Sequence, residues 1–170
     1  DQALVFFPGV KLNTVYATLT NVTNQLVDDG FTADLGFANN VHILVEVGTS
    51  NFINLPRWYV LGTDGTAMIE DWGKDIRIVR ALGVDEKDVV PVRTAAGLTK
   101  TMAPRRDDSI HTESEPEQKS DIREFYKNVM AVLEGREESR IRLPEVMRVM
   151  RLMEAIFQSA QEKQVVVFEK

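Results

Sequence analysis

Few residues in this sequence have the types and spacing that chemistry requires, and the best candidates for holding a ligand are Asn51, Asn54 and Arg57. They lie in or beside a loop at the end of a strand-like run. Two amides and a guanidinium supply the donors and acceptors that hydroxyl groups bind. The same residues also fit an ordinary surface turn. The sequence therefore contains a candidate substrate-binding loop, and we find no catalytic group in it.

The histidines and glycines match no catalytic or metal-binding motif. His42 and His111 are far apart, and neither has the spacing of a metal ligand. His42 fits a satisfied strand residue better than a base, and His111 fits an exposed loop residue better than a substrate contact. The segment 62–65 precedes a strand-like run, so its Asp-Gly pair predicts a tight hairpin and not a phosphate-binding loop. Metal and cofactor sites are therefore not expected within this sequence.

Composition narrows the class of protein. The 170 residues fit one domain, with 44% hydrophobic and 27% charged residues. A net charge of -6 disfavours nucleic acid and anionic membranes as main partners. Disulfides and thiolate sites are excluded because the sequence has no cysteine. No apolar run approaches the ~20 residues that span a bilayer, and no signal peptide is recognisable. We expect a cytoplasmic location.

The elements that must position these residues follow from periodicity. Alternating apolar residues predict an antiparallel sheet of about six strands, at 15–22, 33–37, 41–47, 58–61, 66–72 and 76–80. Two helices follow, one capped at Ser120-Asp121 and ended by Gly135, the other beginning at Pro144. A short strand at 165–168 ends the chain. Sheet first and helices afterwards predict an α+β fold.

One face of the predicted sheet is uniformly apolar, and we expect the helices to cover it. The predicted buried stripe of the last helix is Val146, Val149, Met150, Met153, Ile156, Phe157 and Ala160. The second face carries a further apolar set: Tyr16, Val22, Leu44, Tyr59, Leu61, Met68 and Trp72. This load is large for a face that meets only water. We expect an open face that mediates homo-oligomerisation, or alternatively one partly covered by a long loop at 83–119. That stretch is either a mobile loop or a segment along an edge of the sheet, with Val89, Val90 and Val92 as a possible short strand.

The start of the chain suggests a larger protein. An apolar run at 3–7 ends at Pro8-Gly9 without any preceding signal that starts a helix. We interpret this run as the tail of a helix that begins upstream of Asp1. The chain is then expected to be the C-terminal half of a larger enzyme.

Several short motifs, in their order and spacing, resemble the C-terminal domain of the Gfo/Idh/MocA oxidoreductases. They are Asp1-Gln2-Ala3-Leu4, the turn 37–40, the hairpin 62–66 and the terminal helices with the stretch 156–160. The resemblance covers essentially all of residues 1–170, as a single substrate-side and oligomerisation domain. It implies a two-domain enzyme whose N-terminal Rossmann domain binds NAD or NADP and carries a catalytic lysine. A Gly-Gly…Asp…His-x-x-Asp pattern would place the catalytic histidine just before Asp1.

The resemblance implies an NAD(P)-dependent dehydrogenase that acts on a CH–OH group of a sugar, cyclitol or similar polyol. Nothing in residues 1–170 matches the dinucleotide fingerprint, so we expect the fragment to be inactive and to bind no nucleotide. Two alternatives remain open at this stage. The chain could be a non-enzymatic dimerisation or binding module, or a catalytically dead scaffold.

Overall fold

The computed structural model describes residues 1–83, 89–102 and 107–169. In chain order the elements are α1 (Gln2–Val5), β1 (Leu12–Thr20), β2 (Gly30–Phe37), β3 (His42–Gly48), β4 (Trp58–Leu61), β5 (Gly65–Ile69), β6 (Ile76–Ala81), β7 (Val89–Thr94), β8 (Gly97–Met102), β9 (Ile110–Glu115), α2 (Ile122–Leu133), α3 (Leu143–Glu162) and β10 (Val166–Val167). They form two compact units. The core unit contains residues 1–52 and 121–170, and the sheet unit contains residues 53–120.

The core unit is an antiparallel sheet with a long helix on one face. Its strand order is β10-β1-β2-β3, and α3 packs against β1. Alternation along β1 explains the packing, since Val15 and Ala17 are buried while Tyr16 between them is exposed. The main cluster of buried apolar residues in this unit comes from α1, the sheet and α3, and it comprises Ala3, Leu4, Leu12, Val15, Ala17, Ala33, Leu35, Phe37, Leu152 and Ala155.

The buried stripe of α3 matches the predicted one only in part, since Val149 and Ile156 pack against the core. Leu152, Ala155 and Ser159 are buried and face the core, whereas Phe157 is 48% exposed. Apolar residues lie on two adjacent faces of this helix, and the predicted stripe included residues from both. Only the face that includes Leu152 meets the sheet. The expectation that Phe157 is a core residue is therefore wrong.

The signals for helix ends are confirmed. The Asp121 carboxylate accepts a hydrogen bond from the backbone N–H of Arg123 at 2.9 Å, which caps α2. Pro144 lies in the first turn of α3, where its missing N–H costs nothing. Gly135, predicted to end the first of the two helices, follows the C-cap residue of α2 in the left-handed conformation, with φ of 71°.

The sheet unit has a second antiparallel sheet, of order β4-β5-β6-β9, and a separate β7-β8 hairpin. No side chain of this unit is buried among those whose exposure is described. The loop expected at 83–119 is corrected here, since β9 pairs with β6 from Ala81↔Ile110 to Ile76↔Glu115. The possible strand at Val89, Val90 and Val92 is confirmed as part of β7. Residues 84–88 and 103–106 of the expected loop lie outside the described residues. β9 escaped prediction because its residues are mostly polar, and backbone hydrogen bonds rather than burial hold an edge strand.

The α+β class and the antiparallel pairing are confirmed, but the strands divide between two sheets where the sequence predicted one. The apolar residues predicted to share one open face are therefore also divided between the two sheets. Tyr16 and Leu44 both flank Asp34 on the exposed face of the core-unit sheet. Tyr59 pairs with Met68 in the sheet unit. Val22 and Trp72 lie outside the strands.

Candidate substrate-binding loop

The three residues predicted to bind substrate do not form one described pocket. Asn51 belongs to the core unit, whereas Asn54 and Arg57 belong to the sheet unit. The amide of Asn51 lies against Gly48, and a Cβ added to that glycine would meet Asn51 Oδ1 at 2.8 Å. Asn54 is exposed. Their role in substrate binding stays a prediction, and Arg57 is the one with a defined environment.

Arg57 is held by two residues that lie after the neighbouring strand. Its Nε donates to Asp71 Oδ1 at 3.1 Å, and the centre of its guanidinium lies 5.5 Å from the centroid of the Trp72 ring. The antiparallel register explains the meeting, because Trp58 at the start of β4 pairs with Ile69 at the end of β5. The chain just before β4 therefore lies beside the chain just after β5. We call Arg57, Asp71 and Trp72 the arginine cluster.

A tight turn fixes the far side of the arginine cluster. The Asp71 carbonyl accepts from Lys74 N–H at 3.2 Å, and Asp71 Oδ1 also accepts from Trp72 N–H at 2.8 Å. Gly73 has φ of 79°, which glycine adopts without the steric cost of a Cβ. A shallow depression of about 430 Å³ beside this turn is lined by Met68, Glu70, Gly73, Lys74, Asp75 and Arg77.

The electrostatics of the turn keep Asp71 ionised. The Trp72 N–H, the hydrogen bond from Arg57, and the positive charges of Arg57 and Lys74 hold the pKa of the Asp71 carboxyl below its usual value. Asp71 therefore stays a carboxylate that accepts from Arg57 across the physiological range. Sequence reasoning missed Asp71 as a partner of Arg57 and assigned Trp72 to the open face. The Asp-Trp-Gly-Lys turn was the available signal.

Both histidines pair with carboxylates on exposed strand faces. His42 Nδ1 lies 2.9 Å from Asp34 Oδ1, across the β2–β3 pair. His111 Nε2 lies 3.7 Å from Glu113 Oε1 within β9, so His111 is an exposed strand residue and not a loop residue. The interpretation of His42 as a strand residue with a partner is confirmed. Within the described ranges, no group of three His, Asp or Glu side chains is placed to hold a metal ion.

Among the helices that the structure describes, none combines the length and apolarity needed to cross a membrane.

Comparisons with known proteins place the whole chain in one family. Residues 1–168 match the family described as "Oxidoreductase family, C-terminal alpha/beta domain". Among curated proteins, none matches the sequence.

Solved structures share the fold. An NAD-binding protein from Listeria innocua is 37% identical with a TM-score of 0.80, over 96% of this chain and 47% of that one. The protein yvaA from Bacillus subtilis, described as an oxidoreductase, is 16% identical with a TM-score of 0.75, over 99% and 48%.

An oxidoreductase from Agrobacterium radiobacter, solved with NAD+, L-tartaric acid and magnesium, is 16% identical with a TM-score of 0.59, over 98% and 46%. Residues 1–170 thus span about half the length of these structures. With the family matched over nearly every residue and the sheets and helices matching its solved structures, the chain belongs to the Gfo/Idh/MocA oxidoreductases, as their C-terminal alpha/beta domain.

Proposed function

We propose that this chain is the substrate-side and oligomerisation half of an NAD(P)-dependent dehydrogenase. The reaction is hydride transfer between the nicotinamide and a CH–OH carbon of a sugar, cyclitol or similar polyol. The observation that carries the proposal is the family match over residues 1–168 together with a span of about half the related structures. The remainder of those structures leaves room for a nucleotide-binding domain.

Two related structures support the assignment of NAD or NADP as the cofactor. The Listeria innocua protein is described as NAD-binding and is 37% identical to this chain over the aligned region, which covers 47% of that protein. The Agrobacterium radiobacter oxidoreductase was solved with NAD+ and with L-tartaric acid, which carries secondary hydroxyl groups. We assign NAD or NADP to the complete protein and no nucleotide to residues 1–170 alone. The catalytic histidine and lysine are assigned to the part of the protein upstream of Asp1.

In this proposal the chain supplies positioning, and the cofactor supplies the reactive hydride. Arg57, Asn51 and Asn54 are assigned to the substrate side. NAD or NADP, when bound to the complete protein, would supply the hydride acceptor, and a protein base would take the proton of the substrate hydroxyl. Holding the carbinol carbon near the nicotinamide converts a bimolecular encounter into an oriented step, which is the main contribution a substrate domain can make.

The oligomerisation role rests on the exposed apolar residues of the sheet unit. Tyr59 and Leu61 are 59% and 72% exposed on β4. Tyr59 pairs with Met68, and Met68 pairs with Arg77, so one face presents apolar residues beside a charged one. Such a face is costly to leave in water, and two-fold pairing with a second copy is the commonest way to bury it.

The test uses the complete protein that contains this chain. We expect calorimetric titration to show one nucleotide site per chain in the complete protein and no measurable site in residues 1–170. We also expect the complete protein to reduce NAD+ or NADP+ with a polyol or sugar from a panel of such compounds, followed by absorbance at the wavelength of the reduced nicotinamide. A complete protein that binds neither nucleotide would refute the dehydrogenase assignment. Oligomerisation without nucleotide binding would instead identify a dimerisation module.

A further inference from the structure

We propose that Arg148 and Glu169 are positioning residues, which hold α1 at a fixed angle to the core-unit sheet and so align the upstream part of the protein with the substrate side. The inference goes beyond the proposed function and rests on it for the reaction. The geometry rests on contacts whose atoms all belong to the core unit. We call Arg148 and Glu169, with the backbone of Val10 and Leu12 that they bind, the junction clamp.

The first step concerns the connection between α1 and the sheet. In the proposed complete protein the upstream part joins residues 1–170 through α1, since the matched family is a C-terminal domain and this chain covers 47% of a related structure. α1 has four residues, of which Ala3 and Leu4 are buried. Between α1 and β1 the chain passes through Gly9, in the left-handed region with φ of 77°. A glycine in an open turn permits rotation of α1 unless the residues beside it are held.

The second step concerns the hydrogen bonds that hold this connection. Arg148 Nη2 donates to the Val10 carbonyl at 2.9 Å, and Glu169 Oε2 accepts from the Leu12 N–H at 2.8 Å. The two side chains also bind each other. Arg148 Nε donates to Glu169 Oε1 at 2.6 Å, and its Nη2 donates to Oε2 at 3.2 Å. The backbone on both sides of Lys11 is therefore held by residues that are 138 and 157 positions away in the sequence.

Further contacts fix the two ends of the junction clamp. The Glu169 N–H donates to the Leu12 carbonyl at 3.2 Å, so the backbone of Glu169 is attached to β1 as well as its side chain. On the side of α1, the ring centroids of Phe7 and Phe37 lie 5.3 Å apart. The chain between α1 and β1 is consequently held by an aromatic contact before Gly9 and by the junction clamp after it.

The third step concerns what this ion pair contributes. The side chains of Arg148 and Glu169 are 24% and 29% exposed. The cost of removing charged groups from water offsets much of their attraction, so such a pair adds little net stability but favours one geometry. Hydride transfer depends on geometry, since a displacement of the reacting atoms by about 1 Å can slow a reaction about 100-fold. The junction clamp therefore serves the reaction through the orientation of α1, without contact to the substrate.

The experiment measures the complete protein with NAD+ and the panel polyol that it oxidises fastest. Arg148→Met keeps an unbranched side chain and removes its donors. We expect kcat to fall at least about tenfold, whereas the dissociation constants of NAD+ and the polyol, from calorimetric titration, stay unchanged. Arg148→Lys keeps the charge but lacks the fork that reaches both the Val10 carbonyl and the Glu169 carboxylate, so it should restore only part of the lost kcat.

Hydrogen exchange supplies a measurement that does not depend on activity. The Leu12 N–H donates to Glu169, and Arg148 holds that carboxylate in place. We expect the Leu12 amide of the complete protein to exchange faster in Arg148→Met than in the wild type, while the amides of β2 keep their rates.

Two control variants separate positioning from general effects. Arg151→Met removes an exposed arginine from the same helix, three residues further on, and should leave both kcat and the exchange of the Leu12 amide unchanged. Ser159→Ala should weaken the attachment of α3 to β1 at the Ala17 N–H without touching the junction clamp, and it should also leave kcat unchanged. Equal losses of kcat in Ser159→Ala and Arg148→Met would overturn the proposal, as would an unchanged Leu12 exchange rate in Arg148→Met.

The two proposals fail in different ways. A complete protein that binds no nucleotide would refute the dehydrogenase assignment, while faster Leu12 exchange in Arg148→Met would still support the junction clamp as the holder of α1. A complete protein that oxidises the polyol with full kcat in Arg148→Met would keep the dehydrogenase assignment and refute the positioning role.

Discussion

Ser159 joins α3 to the sheet of the core unit, and its replacement should lower stability measurably. The residue is fully buried. Its Oγ accepts from Ala17 N–H at 2.9 Å and donates to the Gln164 carbonyl at 2.6 Å. In its pairing with β10, β1 is matched at Thr14 and Val15. Ala17 lies past the end of that pairing, and the Ser159 hydroxyl accepts the hydrogen bond that a neighbouring strand would otherwise accept from its N–H.

The magnitude follows from what Ser159→Ala leaves unpaired. Ala17 is 1% exposed, so its N–H has no access to water, and an unsatisfied buried group costs about 1–3 kcal/mol. Gln164 is exposed, and its carbonyl can bind water at little cost. We therefore expect Ser159→Ala to lower the free energy of unfolding by about 2 kcal/mol.

Urea denaturation of residues 1–170 measures this difference. The control is Gln158→Ala at the adjacent, exposed position of α3, where the side chain donates to Glu162. We expect the control to change the free energy of unfolding by less than about 0.5 kcal/mol. Equal midpoints for both variants would refute the reasoning, because the Ala17 N–H would then have found another partner.

Three further predictions concern the core, the sheet unit and pH. Leu152→Ala should lower the free energy of unfolding by about 2–5 kcal/mol, and Phe157→Ala, at a half-exposed position, by about 1 kcal/mol; equal losses in urea melts would contradict the observed stripe. Tyr59→Asp or Leu61→Asp should convert oligomers of the complete protein to monomers in sedimentation velocity, because the charge would be buried without a partner, and a monomeric wild type would exclude this face as an interface. The backbone N–H groups of Thr23 and Val22 lower the pKa of Asp29 from 3.8 to about 2. Since this pKa is depressed on folding, the stabilisation is complete above pH 3.8 and is lost as the pH falls towards 2. The stability difference between wild type and Asp29→Asn should therefore be constant above that range and shrink below it, and a difference that grows in acid would contradict the assignment.

Local signals in the sequence were sufficient for many elements. The strand predicted at 58–61 is β4, and the Gly62 N–H donates to the Gly65 carbonyl at 2.8 Å in the predicted hairpin. The Asp121 cap and Pro144 located the starts of α2 and α3. These signals depend on residues that are close in sequence, so the elements could be predicted without knowledge of the tertiary structure.

Other features depended on contacts that the sequence does not encode locally. β9 has little apolar alternation, and it is a strand because the backbone of β6 offers an edge to pair with. Phe157 and Leu152 are both apolar residues of one helix, and only the position of the sheet decides which is buried.

By itself the sequence determined the α+β class, the order of most elements and the family, because periodicity, helix caps and turns each depend on residues that are close together in the sequence. The tertiary structure decided which strands share a sheet and which partner Arg57 has. Asp71 lies 14 residues from Arg57, and only the register of β4 with β5 brings the two together. Local sequence patterns identify strands, but they do not specify which strand edges pair. That pairing depends on contacts between residues far apart in the sequence, so it is fixed only when the whole chain folds.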